Sequence, residues 1–239
     1  MSRPGISVVI PAYNEASTLR PLFARVLDVL RKVTDDFEII LCDDASSDGT
    51  KKAIQALTAG CTQARAIYHD QNKGLFATFE ELYRAASKDY VLLLPGDGQW
   101  DPGFLSEALK QIPACDVVIA ARRNKQYSIG RKINSWVFNR LVRWAFGVEL
   151  YDIGSVKLMR REIFTRVQVT TQSAFTEAER LLKAHKQGYR IGVVWVEHIP
   201  RVQGKPSGAT VDKMFRALGD LIQFRCTNWP AATCGRHRY

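Results

Sequence analysis

Carboxylate and amide side chains follow four short apolar segments of this chain, each time within a few residues of the segment's end. These polar clusters occupy residues 11–15, 43–50, 72–74 and 95–102. Carboxylates that lie close together repel one another unless a cation or a ligand rich in hydrogen-bond donors offsets their charge. If the fold brings the four clusters to one place, the sequence therefore predicts a binding site there.

Two of the clusters indicate specific chemistry. Asp43 and Asp44 could accept hydrogen bonds from a nucleoside base or ribose, because an ionised carboxylate only accepts. Asp97 could bind a divalent cation that bridges diphosphate oxygens, since oxygen ligands suit Mg²⁺ or Mn²⁺. At two positions a structural role is the alternative to ligand binding: Asp48 and Asp101 could cap the helices that follow them.

The elements that must position these clusters alternate between strand and helix. Short apolar runs predict strands at 6–11, 37–42, 64–68, 90–94 and 116–120. Helical spacing between them predicts helices at 17–32, 50–57, 74–87 and 102–112. Continuous apolar strands separated by helices indicate a parallel sheet covered on both faces, with ligands bound outside the carboxyl ends of the strands.

The second half of the chain is predicted to be mainly helical. Helical segments are expected at 130–146, 161–167, 175–187 and 211–224, with one strand at 191–196. Glycine and proline cluster at 200–208, which indicates a loop. Residues 226–239 have no periodicity, so a flexible tail is predicted there.

Charge is distributed unevenly between the two halves. Residues 1–119 carry 12 basic and 16 acidic residues, whereas residues 120–239 carry 22 and 8, for the overall net charge of +10. The basic half could attract a phosphorylated acceptor, a membrane surface or nucleic acid. A solvated basic face that only aids solubility is the plain alternative.

Several function classes are disfavoured. The sequence contains neither GxGxxG after its first strand nor GxxxxGK[ST], which argues against a dinucleotide oxidoreductase and a P-loop NTPase. Five scattered cysteines argue against a disulfide framework, and His69, His185 and His198 are interpreted as structural or exposed rather than metal-binding.

With no secretory signal and no apolar run of the ~18–20 residues that span a bilayer, the predicted location is cytoplasmic. A peripheral position at the inner membrane face is the alternative.

The segments VVIPAYNEASTL, EIILCDDASSDGT, NKGL and GDGQWDP resemble family 2 inverting glycosyltransferases with the GT-A fold. The later segments DVVIAARR, DIGSVKLMRREIF and EAERLLKAHKQGYRIGVVWVEHIPR are similar to the branch of dolichol- or polyprenyl-phosphate mannose and glucose synthases. The resemblance implies an α/β fold with a doubly wound, mainly parallel sheet and a helical C-terminal acceptor region. It further implies one catalytic domain at 1–225, in which 6–121 bind a nucleotide sugar and 122–225 bind the acceptor.

The resemblance also implies roles for individual residues. Contacts to a GDP-mannose or UDP-sugar donor are expected from Pro11, Tyr13, Glu15, Asp43, Asp44, Lys73 and Asp97. Mn²⁺ or Mg²⁺ is expected on Asp97 and Gln99. Contacts to the acceptor or to phosphate are expected from Arg122, Arg131, Ser135, Arg201 and Lys205.

The sequence departs from the family pattern at two places. Pro95 stands where the family has the first aspartate of Asp-x-Asp, which should weaken metal binding or make it depend on the donor diphosphate. In the loop that usually reads Arg-x-x-Gly-x-Ser-Lys, Ser207 occupies the lysine position and Lys205 lies two residues away.

In an inverting reaction the acceptor attacks the sugar opposite the departing nucleoside diphosphate. A lipid phosphate is already ionised and only needs positioning, whereas a saccharide or natural-product hydroxyl needs a general base. Asp97 and Asp152 are the predicted catalytic residues, with Asp152 as the first candidate base. Glu177 and Glu179 follow, although exposed helix positions are the favoured interpretation for both.

Two further alternatives concern turnover and partners. A donor-binding protein that has lost turnover is suggested by Pro95. A nucleic-acid-binding module is disfavoured because no recognisable motif is present, and no nucleic-acid partner is predicted. Trp136 and Trp144 lie beside Arg140 and Arg143, which fits either a basic amphipathic helix at a membrane interface or an ordinary core face.

Overall fold

A seven-stranded sheet forms the centre of the computed structural model. The structure describes residues 3–123, 129–148, 150–197, 199 and 211–229, without the side chains of 129–135 and 211–214. The strands are β1 (Ile6–Ala12), β2 (Phe37–Asp43), β3 (Ala64–Tyr68), β4 (Tyr90–Leu93), β5 (Val117–Arg123), β6 (Lys157–Arg160) and β7 (Ile191–Glu197). Their spatial order is β3-β2-β1-β4-β6-β5-β7.

Of the seven strands that the structure describes, only β6 runs against its neighbours. Strands β1 to β4 are parallel, β5 is parallel to β7, and β6 lies antiparallel between β4 and β5. The prediction of a single strand in the second half was wrong, because β6 was missed. Lys157–Arg160 is four residues long and charged at both ends, so it has no readable period. Pairing of Leu158 with Leu92 and Val118 defines it as a strand.

Eight helices cover the two faces of the sheet in the part of the chain that the structure describes. They are α1 (Ala16–Val33), α2 (Thr50–Ala59), α3 (Leu75–Ala85), α4 (Phe104–Gln111), α5 (Ile129–Phe146), α6 (Glu162–Arg166), α7 (Thr176–Lys186) and α8 (Val211–Asn228). Alternate residues of β1 enter two separate cores: Val8 and Ile10 pack on the side of α1, α2 and α4, and Val9 packs on the side of the other helices. The predicted doubly wound, mainly parallel α/β fold is confirmed.

The predicted tail begins too early. Helix α8 continues to Asn228, and Trp229 is buried, with its ring edge-on to Phe146 at 5.5 Å between centroids. Phe224 packs against the same phenylalanine at 5.6 Å. The prediction of a flexible segment from residue 226 was therefore wrong for 226–229. The contact between Trp229 and Phe146 is a tertiary one, which the local sequence does not indicate. Residues 230–239 lie outside the described ranges.

One edge of the sheet collects the loops that follow the parallel strands. Because β6 is antiparallel to β4, the loop that precedes β6 reaches this same edge. Among the described residues, the three non-glycine residues with positive φ all lie in these loops: Asn14 at 56°, Ala45 at 57° and Asp152 at 44°. Left-handed backbone costs about 1–2 kcal/mol per residue, so the surrounding contacts must hold these loops in place.

Candidate active site

The loops after β1 and β2 are joined by hydrogen bonds. The Asn14 N–H donates to Ser46 Oγ at 2.9 Å, and the Ser47 N–H donates to Asn14 Oδ1 at 2.9 Å. The Glu15 N–H donates to Thr50 Oγ1 at 2.9 Å. Asn14 tolerates its left-handed φ because a short amide side chain can bond locally. The two loops are therefore joined into one wall at this edge of the sheet.

Three of the predicted donor contacts lie on or beside this wall. Pro11 is buried within β1, Tyr13 is 50% exposed at the tip of its loop, and Glu15 is half-buried at the start of α1. The N-cap of α2 is Gly49 and not Asp48, although Asp48 Oδ1 accepts the Thr50 N–H at 2.8 Å at the start of that helix. Burial raises the pKa of Asp48, but the hydrogen bonds from Thr50 outweigh it and leave that pKa below its ordinary value.

The two aspartates at the end of β2 differ in what they hold. Asp44 accepts hydrogen bonds from His69 Nδ1 at 2.7 Å, from the Lys73 N–H at 2.8 Å and from the Gly74 N–H at 3.0 Å. Within the described residues, the Asp43 carboxylate accepts one hydrogen bond, from the Ser46 N–H at 3.2 Å. Both residues are buried. Of the pair, Asp43 keeps more capacity to accept a hydrogen bond from a ligand.

The loop after β4 brings Asp97 against β1. The Gly96 N–H donates to the Pro11 carbonyl at 3.1 Å, and a Cβ at position 96 would lie only 3.0 Å from that same oxygen. A Cβ contact this short is tighter than nearly all real ones, so glycine suits this close approach. Asp97 is half-buried, and its Oδ1 accepts the Gln99 N–H at 3.1 Å. The predicted metal ligands are therefore adjacent to the predicted nucleotide contacts.

The ligand chemistry at Asp97 fits a shared cation rather than a protein-only cage. Asp97 and Gln99 offer one carboxylate and one amide oxygen, and Pro95 offers no side-chain ligand. Across the described ranges, no cluster of three or more His, Cys, Asp or Glu residues is placed to hold a metal ion. Mg²⁺ is commonly bound through one or two carboxylates together with substrate phosphates, and these two residues match that arrangement.

Arg122, at the end of β5, is held by Asp152. Its Nε donates to Asp152 Oδ2 at 2.8 Å, its Nη2 donates to Oδ1 at 2.9 Å, and its backbone N–H donates to Oδ2 at 3.1 Å. The guanidinium also lies over the Trp100 ring, 4.6 Å from its centroid. The Arg122 side chain is 13% exposed and that of Asp152 is 6% exposed. Asp152, the predicted base, is therefore hydrogen-bonded to Arg122, a predicted phosphate contact. The sequence did not indicate this pairing.

The remaining predicted acceptor contacts are only partly described. Arg131 and Ser135 lie on α5, but their side chains are outside the described set. Arg201 and Lys205 fall within 200–210, outside the described residues. Lys73, which was predicted to contact the donor, is described, and its Nζ donates to Glu81 at 2.8 Å.

Glu177 and Glu179 are not exposed helix residues, so that interpretation was wrong. Glu177 Oε2 lies 3.2 Å from the Nζ of buried Lys157, and its Oε1 lies 3.5 Å from Arg180 Nε. Burial raises the pKa of Glu177, but Lys157 and Arg180 outweigh it and hold that pKa below its ordinary value. Glu179 is fully buried and accepts hydrogen bonds from the segment just before α7. Arg180 lies in the same helix as Glu177, but Lys157 lies 20 residues earlier, so the local pattern alone does not reveal this buried pair.

A second surface feature lies on α5 and α8, which pack together. Trp136 is 64% exposed, Trp144 84%, Phe215 69% and Ile222 54%, and Arg140 is exposed between the two tryptophans. We refer to these exposed residues of the two helices together as the α5–α8 apolar surface. The same helix α5 also buries Val142 and Phe146, so one face of α5 is an ordinary core face, and the membrane interpretation of the other face stays a prediction. Within the described ranges, no helix has the length and apolar character required to span a bilayer.

Comparison with known proteins gives both a family and named relatives. The sequence profile described as Glycosyl transferase family 2 matches residues 7–167. An undecaprenyl-phosphate 4-deoxy-4-formamido-L-arabinose transferase of Aeromonas hydrophila is 33% identical over 161 residues, which are 66% of this chain and 49% of that protein. A dodecaprenyl-phosphate galacturonate synthase of Rhizobium johnstonii is 28% identical over 226 residues, 91% of this chain and 65% of that protein. The chain thus spans about half to two thirds of the length of these curated relatives.

Solved structures give the same fold. Glucosyl-3-phosphoglycerate synthase from Mycobacterium tuberculosis, in complex with Mn²⁺, UDP and glucosyl-3-phosphoglycerate, superposes with a TM-score of 0.72 at 20% identity. The match covers 95% of this chain and 82% of that one. The same enzyme in complex with Mg²⁺ and UDP gives a TM-score of 0.70 at 18% identity, covering 95% and 81%. At this identity the likeness concerns the fold alone.

Proposed function

The chain belongs to glycosyl transferase family 2, and from that premise we propose that it transfers a sugar from a nucleotide-diphosphate sugar to a polyprenyl phosphate with inversion of configuration. The observation that carries the proposal is the shared sheet edge: Asp43 ends β2, Asp97 follows β4 on the other side of β1, and Arg122 lies near the end of β5. Two of the named relatives act on polyprenyl phosphates, which supports this class of acceptor.

The donor is proposed to bind along the loops after β1, β2 and β4. Asp43 would accept a hydrogen bond from the base or ribose, and Tyr13 has an exposed ring that could pack on the nucleoside. Asp97 and Gln99 would hold Mn²⁺ or Mg²⁺ together with the diphosphate. Such a cation stabilises the negative charge that builds on the departing nucleoside diphosphate.

The state of Asp152 favours a phosphate acceptor over a hydroxyl. A general base must reach the proton that it removes, but both oxygens of Asp152 already accept hydrogen bonds from Arg122. A phosphate monoester is ionised near neutral pH and needs no base. We therefore assign Asp152 the task of orienting Arg122, whose guanidinium would position the acceptor phosphate or the donor diphosphate.

The α5–α8 apolar surface suits an acceptor that resides in a membrane. Exposed tryptophans beside arginines favour the interface between lipid headgroups and acyl chains, especially when the lipids are anionic. We propose that this surface makes a peripheral membrane contact. Such a contact would bring the lipid-linked acceptor to the helical half of the molecule.

The test measures sugar transfer from GDP-mannose and from UDP-sugars to a short-chain polyprenyl phosphate, with Mn²⁺ or Mg²⁺ present. The same polyprenol without phosphate serves as the acceptor control. We expect Asp97→Asn to reduce transfer about 100-fold or more, the scale of losing an electrostatic contact to the reacting charge. Asp101→Asn is the matched control, because Asp101 lies in the same loop but accepts the Gly103 N–H near the start of α4.

Three outcomes decide the proposal. Transfer that requires the acceptor phosphate and Asp97 supports it. Equal transfer to the polyprenol would refute the acceptor class, and normal turnover of Asp97→Asn would refute the metal assignment. Donor binding without any transfer would favour a second candidate function, a donor-binding protein without turnover, which Pro95 in place of a metal-binding aspartate suggests.

A further inference from the structure

Four charged or ionisable side chains form a closed ring beside the donor loops. His69 Nδ1 lies 2.7 Å from Asp44 Oδ1, and His69 Nε2 lies 3.1 Å from Glu81 Oε2. Lys73 Nζ lies 2.8 Å from that same Glu81 oxygen. The backbone N–H of Lys73 closes the ring by donating to Asp44 Oδ1 at 2.8 Å. The ring therefore joins the ends of β2 and β3 to helix α3.

Asp44 is the point where the ring holds the backbone. Besides the Lys73 N–H, its carboxylate accepts the Gly74 N–H at 3.0 Å, and its carbonyl accepts a hydrogen bond from Asn72 Nδ2 at 3.2 Å. Gly74 has a φ of 85°, a conformation that lets the chain turn directly into α3. The segment Asn72, Lys73 and Gly74, which forms part of the predicted donor site, is thus fixed to Asp44 by three hydrogen bonds.

The orientation of Asp44 depends in turn on His69. The His69 side chain is 1% exposed and that of Asp44 is 5% exposed, so water does not compete for this contact. A carboxylate only accepts, so Nδ1 must donate the 2.7 Å hydrogen bond. The other ring nitrogen, Nε2, lies 3.1 Å from Glu81 Oε2 and 3.5 Å from the Sγ of Cys42. Burial raises the pKa of Cys42 to about 12, so this thiol is neutral and supplies no competing charge.

We propose that His69 is a positioning residue of the donor site: through Asp44 it fixes the backbone at 72–74, while Asp43 alone of the aspartate pair faces the nucleotide. The proposal rests on the proposed function, since it assumes that this edge binds a nucleotide. It also reassigns Asp44 from nucleotide contact to support of the loop. Charge-assisted hydrogen bonds in a buried site are shorter and stronger than neutral ones, which suits them to hold a loop in one geometry.

The two ring nitrogens allow a matched pair of variants. In His69→Asn the side-chain amide nitrogen can take the place of Nδ1 and still donate to Asp44. In His69→Gln the amide reaches the place of Nε2, so the contact with Glu81 is kept and the contact with Asp44 is lost. Both variants are neutral and similar in size. Binding of UDP and GDP is measured by calorimetry, and amide hydrogen exchange is followed in peptides that cover residues 70–78.

We expect His69→Gln to weaken nucleotide binding about tenfold and to raise amide exchange at 72–74, whereas His69→Asn stays within about threefold of the wild type in affinity. In the transfer assay, the donor KM of His69→Gln should rise while its acceptor KM is unchanged. A general loss of structure would instead affect both variants and both substrates.

Equal behaviour of the two variants, or unchanged exchange at 72–74 in His69→Gln, would overturn the proposal. If the wild type binds neither nucleotide, the proposed function fails, but the exchange data still decide whether His69 positions the loop. If His69→Gln does not fold, Asp44→Asn replaces it, because that change keeps the side-chain size and removes one acceptor. It should loosen 72–74 in the same way, and an unchanged exchange rate there would equally refute the proposal.

Discussion

Replacing Asp152 with asparagine tests whether this residue holds Arg122. Asparagine is nearly the same size and readily adopts positive φ, so the 44° value at this position adds little strain. In its better orientation the amide oxygen keeps the contacts to Arg122 Nε and N–H. The amide nitrogen then faces Nη2, where a donor replaces the acceptor at 2.9 Å.

The size of the effect follows from the contacts that are lost. One charge-assisted hydrogen bond contributes about 1.5–3 kcal/mol, and breaking a buried ion pair costs about 3–5 kcal/mol. Both side chains retain a small exposed fraction, 13% and 6%, so we expect the free energy of unfolding to fall by about 2–4 kcal/mol. For a chain of this length, each kcal/mol lowers Tm by about 2–4 °C.

The assay is a double-mutant cycle measured by urea unfolding. Arg122→Met is the partner variant, since it removes the charge but keeps an unbranched chain that can pack on Trp100. The two changes together should cost less than the sum of their separate costs, with a coupling energy of about 2 kcal/mol. A coupling below about 0.5 kcal/mol would refute the assignment of Asp152 as the anchor of Arg122.

Two further predictions concern the core network and the membrane contact. Because Lys157 helps to hold the pKa of Glu177 below its ordinary value of 4.5, this carboxylate stabilises the fold above that pH and loses its effect as pH falls through the lowered pKa. Glu177→Gln should therefore lower the unfolding free energy by about 3–5 kcal/mol at neutral pH and by progressively less in acid. The control Glu162→Gln, at an exposed side chain, should lower it by under about 1 kcal/mol. A loss for Glu177→Gln that does not depend on pH would contradict this assignment. Trp144→Ala should weaken co-sedimentation with anionic vesicles severalfold. The control is Tyr68→Ala, on the edge strand β3, which should leave co-sedimentation unchanged. Equal binding by the two variants would contradict a membrane contact through α5.

The sequence predicted most of the fold because its signals are local. Strands such as β1 and β2 are continuous apolar runs, and helices such as α1 carry apolar residues at helical spacing. Parallel strands place their carboxyl ends at one edge, so the strand pattern by itself assigns the polar clusters after β1, β2 and β4 to one edge. The roles of those residues in donor, metal and acceptor binding remain predictions.

The misses share a physical cause, which is dependence on partners distant in sequence. Strand β6 exists because Leu158 pairs with strands 66 and 40 residues earlier in the chain. The helical pattern of α7 predicted that Glu177 is exposed. In the structure this side chain is largely buried against Lys157, which lies on β6. Trp229 is ordered by a ring that lies on α5.

The residue types and their order along the chain determined the alternation of strands and helices, the edge that collects the carboxylates and the excess of positive charge in the second half. Tertiary structure alone decided which of those carboxylates already have partners. Asp43 and Asp44 are chemically identical neighbours, yet the approach of His69 and the segment that follows it occupies only Asp44. A side chain's hydrogen-bonding capacity is fixed by its type, but what remains for a ligand depends on which donors the fold has brought within about 3 Å.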